Sequence, residues 1–272
     1  MSDMKLFFAV VIFVLLGFNG FSAKVEQLKI MSAFLGKESP VNVILPDSYS
    51  TSDSLPVLFL LHGYGGDCGS YLLSYKSLMS NVDYLKIVVV CVNGEGSWYM
   101  DSPVKKESRY ESYIIKELIP FISKQYKVYQ SGNKRGVAGL SMGGFGAVYL
   151  GLRNPACFAY VGSTSGGVDI VPFPGHWGLN DLLGDQSEKL SQWQSHSPLY
   201  MIDFIDLKKV KFKLVLDCGK DDFFYDANNQ FDEKLTQLGF FHEYLVSGGA
   251  HTWEYWNKTL PVHLNKFCET VK

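Results

Sequence analysis

Residues 139–143 read Gly139-Leu140-Ser141-Met142-Gly143, a G-x-S-x-G set between an apolar run, 136–140, and a small-residue helix start, 143–150. Glycines two before and two after a serine let the chain turn from strand to helix so sharply that the hydroxyl stands alone at the tip. The helix that follows aims its free N-terminal N–H groups and the positive end of its dipole at the place where an oxyanion would form. In a chain with 26 glycines the same five letters also arise as an ordinary turn, so the surrounding sequence has to decide.

Short, nearly continuous apolar runs recur at 41–45, 57–61, 87–92, 136–140, 160–163, 212–217 and 243–246. Runs of this kind read as strands buried on both faces. Helical stretches at 71–79, 110–125, 143–153, 228–238 and 253–267 alternate with them. The alternation predicts an α/β fold, a mostly parallel central sheet flanked by helices on both faces, with residues 25–45 supplying an antiparallel edge. One stretch breaks it. Residues 168–200 hold Pro172, Pro174, His176, Trp177, Trp193 and His196 with little periodicity, and read as a cap or active-site insertion. The competing reading is a surface excursion whose tryptophans are pinned to the core.

With 272 residues, 47% of them hydrophobic, the chain can bury one large core, and a single catalytic domain is expected over 23–272. Residues 1–22 carry Lys5, an apolar run from 6 to 18 broken by Gly17, and a small-polar end, which is the layout of a signal peptide. The run is shorter than the roughly 20 residues of a membrane span. No stable membrane insertion is therefore expected, and the protein is placed outside the cytoplasm, periplasmic or secreted, after cleavage behind Ser22. The five cysteines are an odd set with no metal-ligand spacing, and Cys91 and Cys218 read as small buried hydrophobes in strands. A formal net charge of −2 leaves no broad basic surface for nucleic acid, and Lys208, Lys209, Lys211 and Lys213 read as a solvated strand entry.

A serine hydroxyl needs a base to take its proton and an acid to orient that base. Both are expected beyond the carboxyl ends of later strands, where catalytic groups collect in parallel sheets. After the run 212–217 comes Cys218-Gly219-Lys220-Asp221-Asp222-Phe223, and after 243–246 comes Ser247-Gly248-Gly249-Ala250-His251-Thr252-Trp253. His251 is the candidate base; Asp222 leads as the acid, with Asp221 its rival. His242 precedes its strand and His263 sits within a helix, so both read as structural. An oxyanion hole needs two donors, and the N–H of Met142 supplies the first. The second falls in Leu61-His62-Gly63-Tyr64-Gly65-Gly66-Asp67, where the N–H of Tyr64 is assigned and His62 is read as a brace for the loop. Trp98, Tyr99, Trp177 and Trp253 are candidate linings of the substrate cleft, weighed against service in the core.

Several motifs in this order resemble the esterase-D-like branch of the α/β-hydrolases, which includes feruloyl esterases, tributyrin-type esterases, S-formylglutathione hydrolases and mycolyltransferases. The likeness rests on Leu60-Leu61-His62-Gly63, Ser97-Trp98-Tyr99 with Asp101-Ser102-Pro103, Glu117-Leu118-Ile119-Pro120, residues 139–144, Cys218-Gly219 with Asp222, and His251-Thr252-Trp253. It covers essentially the whole chain after residue 22. The resemblance implies an α/β-hydrolase fold, a triad of Ser141, Asp222 and His251, oxyanion donors at Tyr64 and Met142, and acyl transfer without a cofactor or metal. Export argues against a cytosolic glutathione thioester as substrate and favours short-acyl esters or the acetyl and feruloyl esters of plant polysaccharides. An acyltransferase using a sugar or lipid hydroxyl, or a non-catalytic binding protein on the same fold, is the alternative. The signal-peptide reading has its own test: N-terminal sequencing of the exported protein is expected to begin at Ala23, and a start at Met1 would overturn it.

Overall fold

The computed structural model describes residues 23–50 and 53–272; the expected signal peptide lies outside the described residues. Eight strands form one sheet: β1 (Lys24–Ser32), β2 (Lys37–Leu45), β3 (Val57–Leu61), β4 (Val88–Val92), β5 (Arg135–Leu140), β6 (Tyr160–Thr164), β7 (Lys213–Gly219) and β8 (His242–Ser247). Their order is β1-β2-β4-β3-β5-β6-β7-β8. β1 with β2 and β2 with β4 run antiparallel, and every other neighbouring pair is parallel, as the alternation of elements and the early pair of strands predict. The helices are α1 (Ser70–Ser74), α2 (Leu78–Leu85), α3 (Tyr110–Tyr113), α4 (Ile119–Gln125), α5 (Met142–Arg153), α6 (Leu179–Leu183), α7 (Gln186–His196), α8 (Pro198–Met201), α9 (Tyr225–Gln237) and α10 (Trp253–Val271).

Side chains alternate across a strand, so a strand buried on both faces feeds two cores. In β3, Val57, Phe59 and Leu61 join the core beneath α3, α4, α5 and α9, while Leu58 and Leu60 join the one beneath α1, α2 and α10. Cys91 and Cys218 are buried and unbonded within β4 and β7. Lys213 opens β7 in an ion pair with Glu243 of β8 at 2.6 Å.

Three helical readings need correction. Residues 71–79 are not one helix: the chain leaves α1 at Tyr75 with φ −112° and ψ 87°, turning that ring into the core, and restarts at α2. The helix expected over 110–125 carries one π segment, Ile114–Leu118. Pro120 has no N–H to give a carbonyl one turn back, and widening the turn absorbs the loss. Residues 168–200, which lack a readable period, are largely helical as α6, α7 and α8. α6 and α8, of five and four residues, are too short for a pattern to show; α7 has 11 residues but is mostly polar and breaks at Lys189 with φ −124°, and it starts where the Asp185 side chain caps the N–H of Ser187. Trp193 is fully buried there and donates to the carbonyl of Gly184 at 3.0 Å, so the pinned-tryptophan reading holds for it.

A buried polar chain lies within the sheet's layers. His263 of α10 meets Asp217 of β7 at 2.5 Å and the Tyr160 hydroxyl at 2.6 Å, and Thr164 donates to the same Asp217 oxygen at 2.8 Å. Truncating Asp217 strands two buried donors at once. Asp217→Ala is therefore expected to cost about 3–5 kcal/mol in urea unfolding.

Candidate active site

At the end of β5 the chain enters α5 through Ser141, which holds φ 55° and ψ −120°. For a residue with a Cβ this is a sparsely populated and strained conformation. What enforces it is the close crossing of two backbones. A Cβ on Gly143 would lie 1.9 Å from the carbonyl oxygen of Leu61, and one on Gly139 would lie 2.4 Å from the carbonyl of Gly143. Only glycine lets α5 start this close to the end of β3, and the sharp turn that results lifts Ser141 into the cleft.

His251 arrives on the loop after β8 and Asp222 on the loop after β7. The loops are sewn together: Asp221 N–H donates to the carbonyl of Gly249 at 2.9 Å, and Lys220 N–H to that of Ser247 at 3.0 Å. His251 Nε2 lies 2.8 Å from Ser141 Oγ, and Nδ1 lies 3.0 and 2.9 Å from the two oxygens of Asp222. A carboxylate can only accept, so this geometry puts the imidazole proton on Nδ1 and leaves Nε2 to accept from the serine. Asp222 is buried and also accepts from the Phe224 N–H at 2.9 Å, which fixes its orientation. Asp221, its rival in the sequence, is exposed. Rings close around the histidine, with Phe223 at 4.2 Å, Trp256 at 5.0 Å and Phe224 at 5.6 Å between centroids.

Met142 is the first residue of α5, so its N–H has no carbonyl one turn back within the helix. The loop after β3 passes close by: a Cβ on Gly63 would stand 3.3 Å from that of Ser141. Two tyrosines hold this loop, the Tyr71 hydroxyl on the Leu61 carbonyl at 3.0 Å and the Tyr99 hydroxyl on the His62 carbonyl at 2.9 Å. His62 Nε2 accepts from the Gly94 N–H at 2.9 Å while Nδ1 faces the Gly63 carbonyl at 2.7 Å, the bracing arrangement expected of it. These two bonds require the neutral ring. Burial drives the His62 pKa below its usual value, against smaller opposing pulls from the Gly63 carbonyl and Asp67.

A cleft of about 520 Å³ opens over Ser141 and His251, lined among others by Tyr64, Trp98, Trp177, Trp253 and Phe223. Three of the four cleft aromatics expected from sequence are there. Tyr99 is not; it is fully buried beneath the loop after β3, where its hydroxyl has structural work. Trp177 shows that residues 168–200 do contribute to the cleft, and the Trp98 indole donates to its carbonyl at 3.2 Å. Phe223, Phe224 and Trp256 were not singled out by sequence, although all three lie within five residues of the acid or the base.

The family model described as "Putative esterase" matches residues 32–267. The chain belongs to this esterase family. It is accordingly a carboxylic ester hydrolase. An acetyl esterase of Caldicellulosiruptor saccharolyticus is 26% identical over 266 residues, covering 86% of this chain and 94% of that protein. An endo-1,4-beta-xylanase/feruloyl esterase of Xylanibacter ruminicola is 29% identical over 251 residues, covering 87% of this chain but only 30% of that larger protein. Among solved structures a ferulic acid esterase superposes with a TM-score of 0.81 at 26% identity, covering 93% of this chain and all of that one. This establishes the α/β-hydrolase fold of the esterase.

The buried neutral His62 makes a pH test. The unfolded chain binds a proton at this residue near its ordinary pKa of about 6.5, and the folded chain binds it only at lower pH. Stability is thus full above about pH 6.5 and is lost as pH falls toward the folded value. Urea unfolding at pH 5 and pH 7.5 is expected to show a smaller difference for His62→Gln than for the wild type. His196, whose pKa burial also lowers, keeps part of the effect in both.

Proposed function

We propose that the protein is an exported serine carboxylesterase that removes short acyl groups, or the acetyl and feruloyl groups of plant polysaccharides, through an acyl-enzyme. The observation that carries this reading is the continuous hydrogen-bonded chain from Ser141 through His251 to Asp222 at the floor of an aromatic cleft. His251 takes the proton of Ser141 as Oγ attacks the ester carbonyl, and Asp222 stabilises the imidazolium that forms. The N–H groups of Met142 and Tyr64 receive the oxyanion. His251 then returns the proton to the departing alcohol oxygen, and a water activated by the same ring cleaves the acyl-serine ester. The acyl preference draws on two facts: the cleft walls are aromatic rings, on which a flat aryl acid stacks, and the relatives described above are named for acetyl and feruloyl esters.

The test is hydrolysis of p-nitrophenyl acetate, butyrate and octanoate, methyl ferulate and acetylated xylan by the protein without residues 1–22. Ser141→Ala and Asp222→Asn are expected to lower kcat by about 10³–10⁴-fold, and Asp221→Asn by less than about threefold. Retention of full activity by Ser141→Ala would remove the proposed nucleophile.

A further inference from the structure

Beside the catalytic cleft lies a second pocket of about 280 Å³, and Tyr64 lines both. The ring of Tyr64 is held edgewise between two backbones: a Cβ on Gly96 would stand 3.0 Å from its Cε2, and one on Gly178 3.4 Å from its hydroxyl. The neighbours of those glycines divide between the two spaces. Trp98 and Trp177 face the catalytic cleft, while Gly96, Ser97 and Gly178 face the second pocket. Three of the seven non-glycine residues with positive φ among the described residues, Glu95, Trp98 and Trp177, line these two spaces. Strain of that kind persists only where the surroundings over-determine it, and it gathers at ligand clamps.

The lining decides what the pocket can take. Lys37 from the β1–β2 hairpin, Glu95, Lys105 and Glu107 from the loop after β4, and Asp181 from α6 all border it. Lys37 and Glu95 already pair at 2.7 Å. Two lysines against three carboxylates repel a polyanion and attract no polycation strongly, and Leu35, Tyr110 and Leu182 add apolar surface between the charges. Carboxylates only accept and ammonium groups only donate, whereas a sugar hydroxyl does both, so a neutral polyhydroxyl ligand satisfies both kinds of group at once. The volume sits just below the roughly 300 Å³ at which drug-sized sites begin, which suits a short glycosyl unit. Tyr64 offers that unit an aromatic wall on the side toward Ser141.

We propose that this pocket is the glycosyl subsite for the alcohol part of the ester, and that Tyr64 separates it from the acyl cleft. This rests on the esterase reading above. Three elements far apart in sequence build the subsite. Ser102 of the loop after β4 ties itself to the insertion by donating to the Leu182 carbonyl at 2.6 Å, so the site is closed by the same segment that brings Trp177 to the cleft.

Two measurements separate this proposal from the function it rests on. The first compares Lys105→Ala and Asp181→Asn with the wild type on acetylated xylotetraose and on p-nitrophenyl acetate. KM for the sugar ester is expected to rise about tenfold, the effect of losing one charge-assisted hydrogen bond, with kcat on both substrates within twofold. Equal changes on both substrates, or none on either, would overturn the subsite. The second uses Ser141→Ala, which holds the fold but lacks the nucleophile. Unesterified xylotetraose is expected to bind it saturably by calorimetry, with Kd raised about tenfold when Asp181→Asn is added. Binding without any hydrolysis by the wild type would sink the esterase mechanism and leave the subsite standing. Hydrolysis of p-nitrophenyl acetate without xylotetraose binding would do the reverse.

Discussion

The backbone of α5 begins almost in contact with the end of β3, and most of the site depends on that crossing. Because the carbonyl of Leu61 occupies the space where a Cβ of residue 143 would be, the helix can start there only with glycine. The helix then approaches the sheet closely enough that Ser141 must take φ 55°. The strain at this one residue, of order 1–3 kcal/mol, is carried by cores on both faces of β3 and β5. The same approach sets the loop after β3 beside the start of α5. One steric constraint therefore fixes both Ser141 and the loop after β3 that runs beside it.

Around that fixed point the polar groups are held by bonds that leave each little freedom. Asp222 reaches His251 from a buried position with its own backbone donor, so the imidazole is oriented before substrate arrives. Phe223, Phe224 and Trp256 pack around the imidazole, with centroids 4.2, 5.6 and 5.0 Å away, and limit the orientations its ring can take. On the other side, His62 stays neutral because burial penalises its charged form, and as a neutral ring it joins Gly94 to Gly63. A charged His62 would set a second N–H against the N–H of Gly94, and the loop would lose its tie. The loop that carries Tyr64 is thus tied down by His62.

How much of this could be read from sequence follows from the range of each interaction. The strands of the centre announce themselves because continuous apolar runs have one cause, burial on both faces, and β3 is legible to the residue. Ser141 and His251 stand out in the sequence because glycines flank the first and Gly248-Gly249 precede the second, marking sharp turns of the chain after β5 and β8. The choice between Asp221 and Asp222 is not local. It is made by the pairing of the loops at Lys220 with Ser247 and Asp221 with Gly249, which turns one carboxylate to the histidine and leaves the other exposed. Tyr99 shows the opposite failure: its motif with Trp98 suggests a shared role, yet consecutive residues with φ of 54° and 58° send the two rings to different places. In 168–200, α6 and α8 are too short to display a period, and α7 hides its period because it is mostly polar and broken at Lys189.

The partition at Tyr64 follows from the same geometry that makes the elbow. With Gly63 packed against Ser141, the chain has one residue in which to turn away from the nucleophile, and Tyr64 is that residue. Its ring lies beside Gly96 and Gly178, and the residue borders both spaces. An ester is itself divided this way, with an acyl part and an alcohol part meeting at the reacting carbon. In the mechanism proposed above, a single residue that offers an N–H at the carbonyl and borders both spaces would couple recognition of the alcohol to placement of the carbonyl. Binding energy gained in the second pocket is then available to orient the bond that breaks at Ser141.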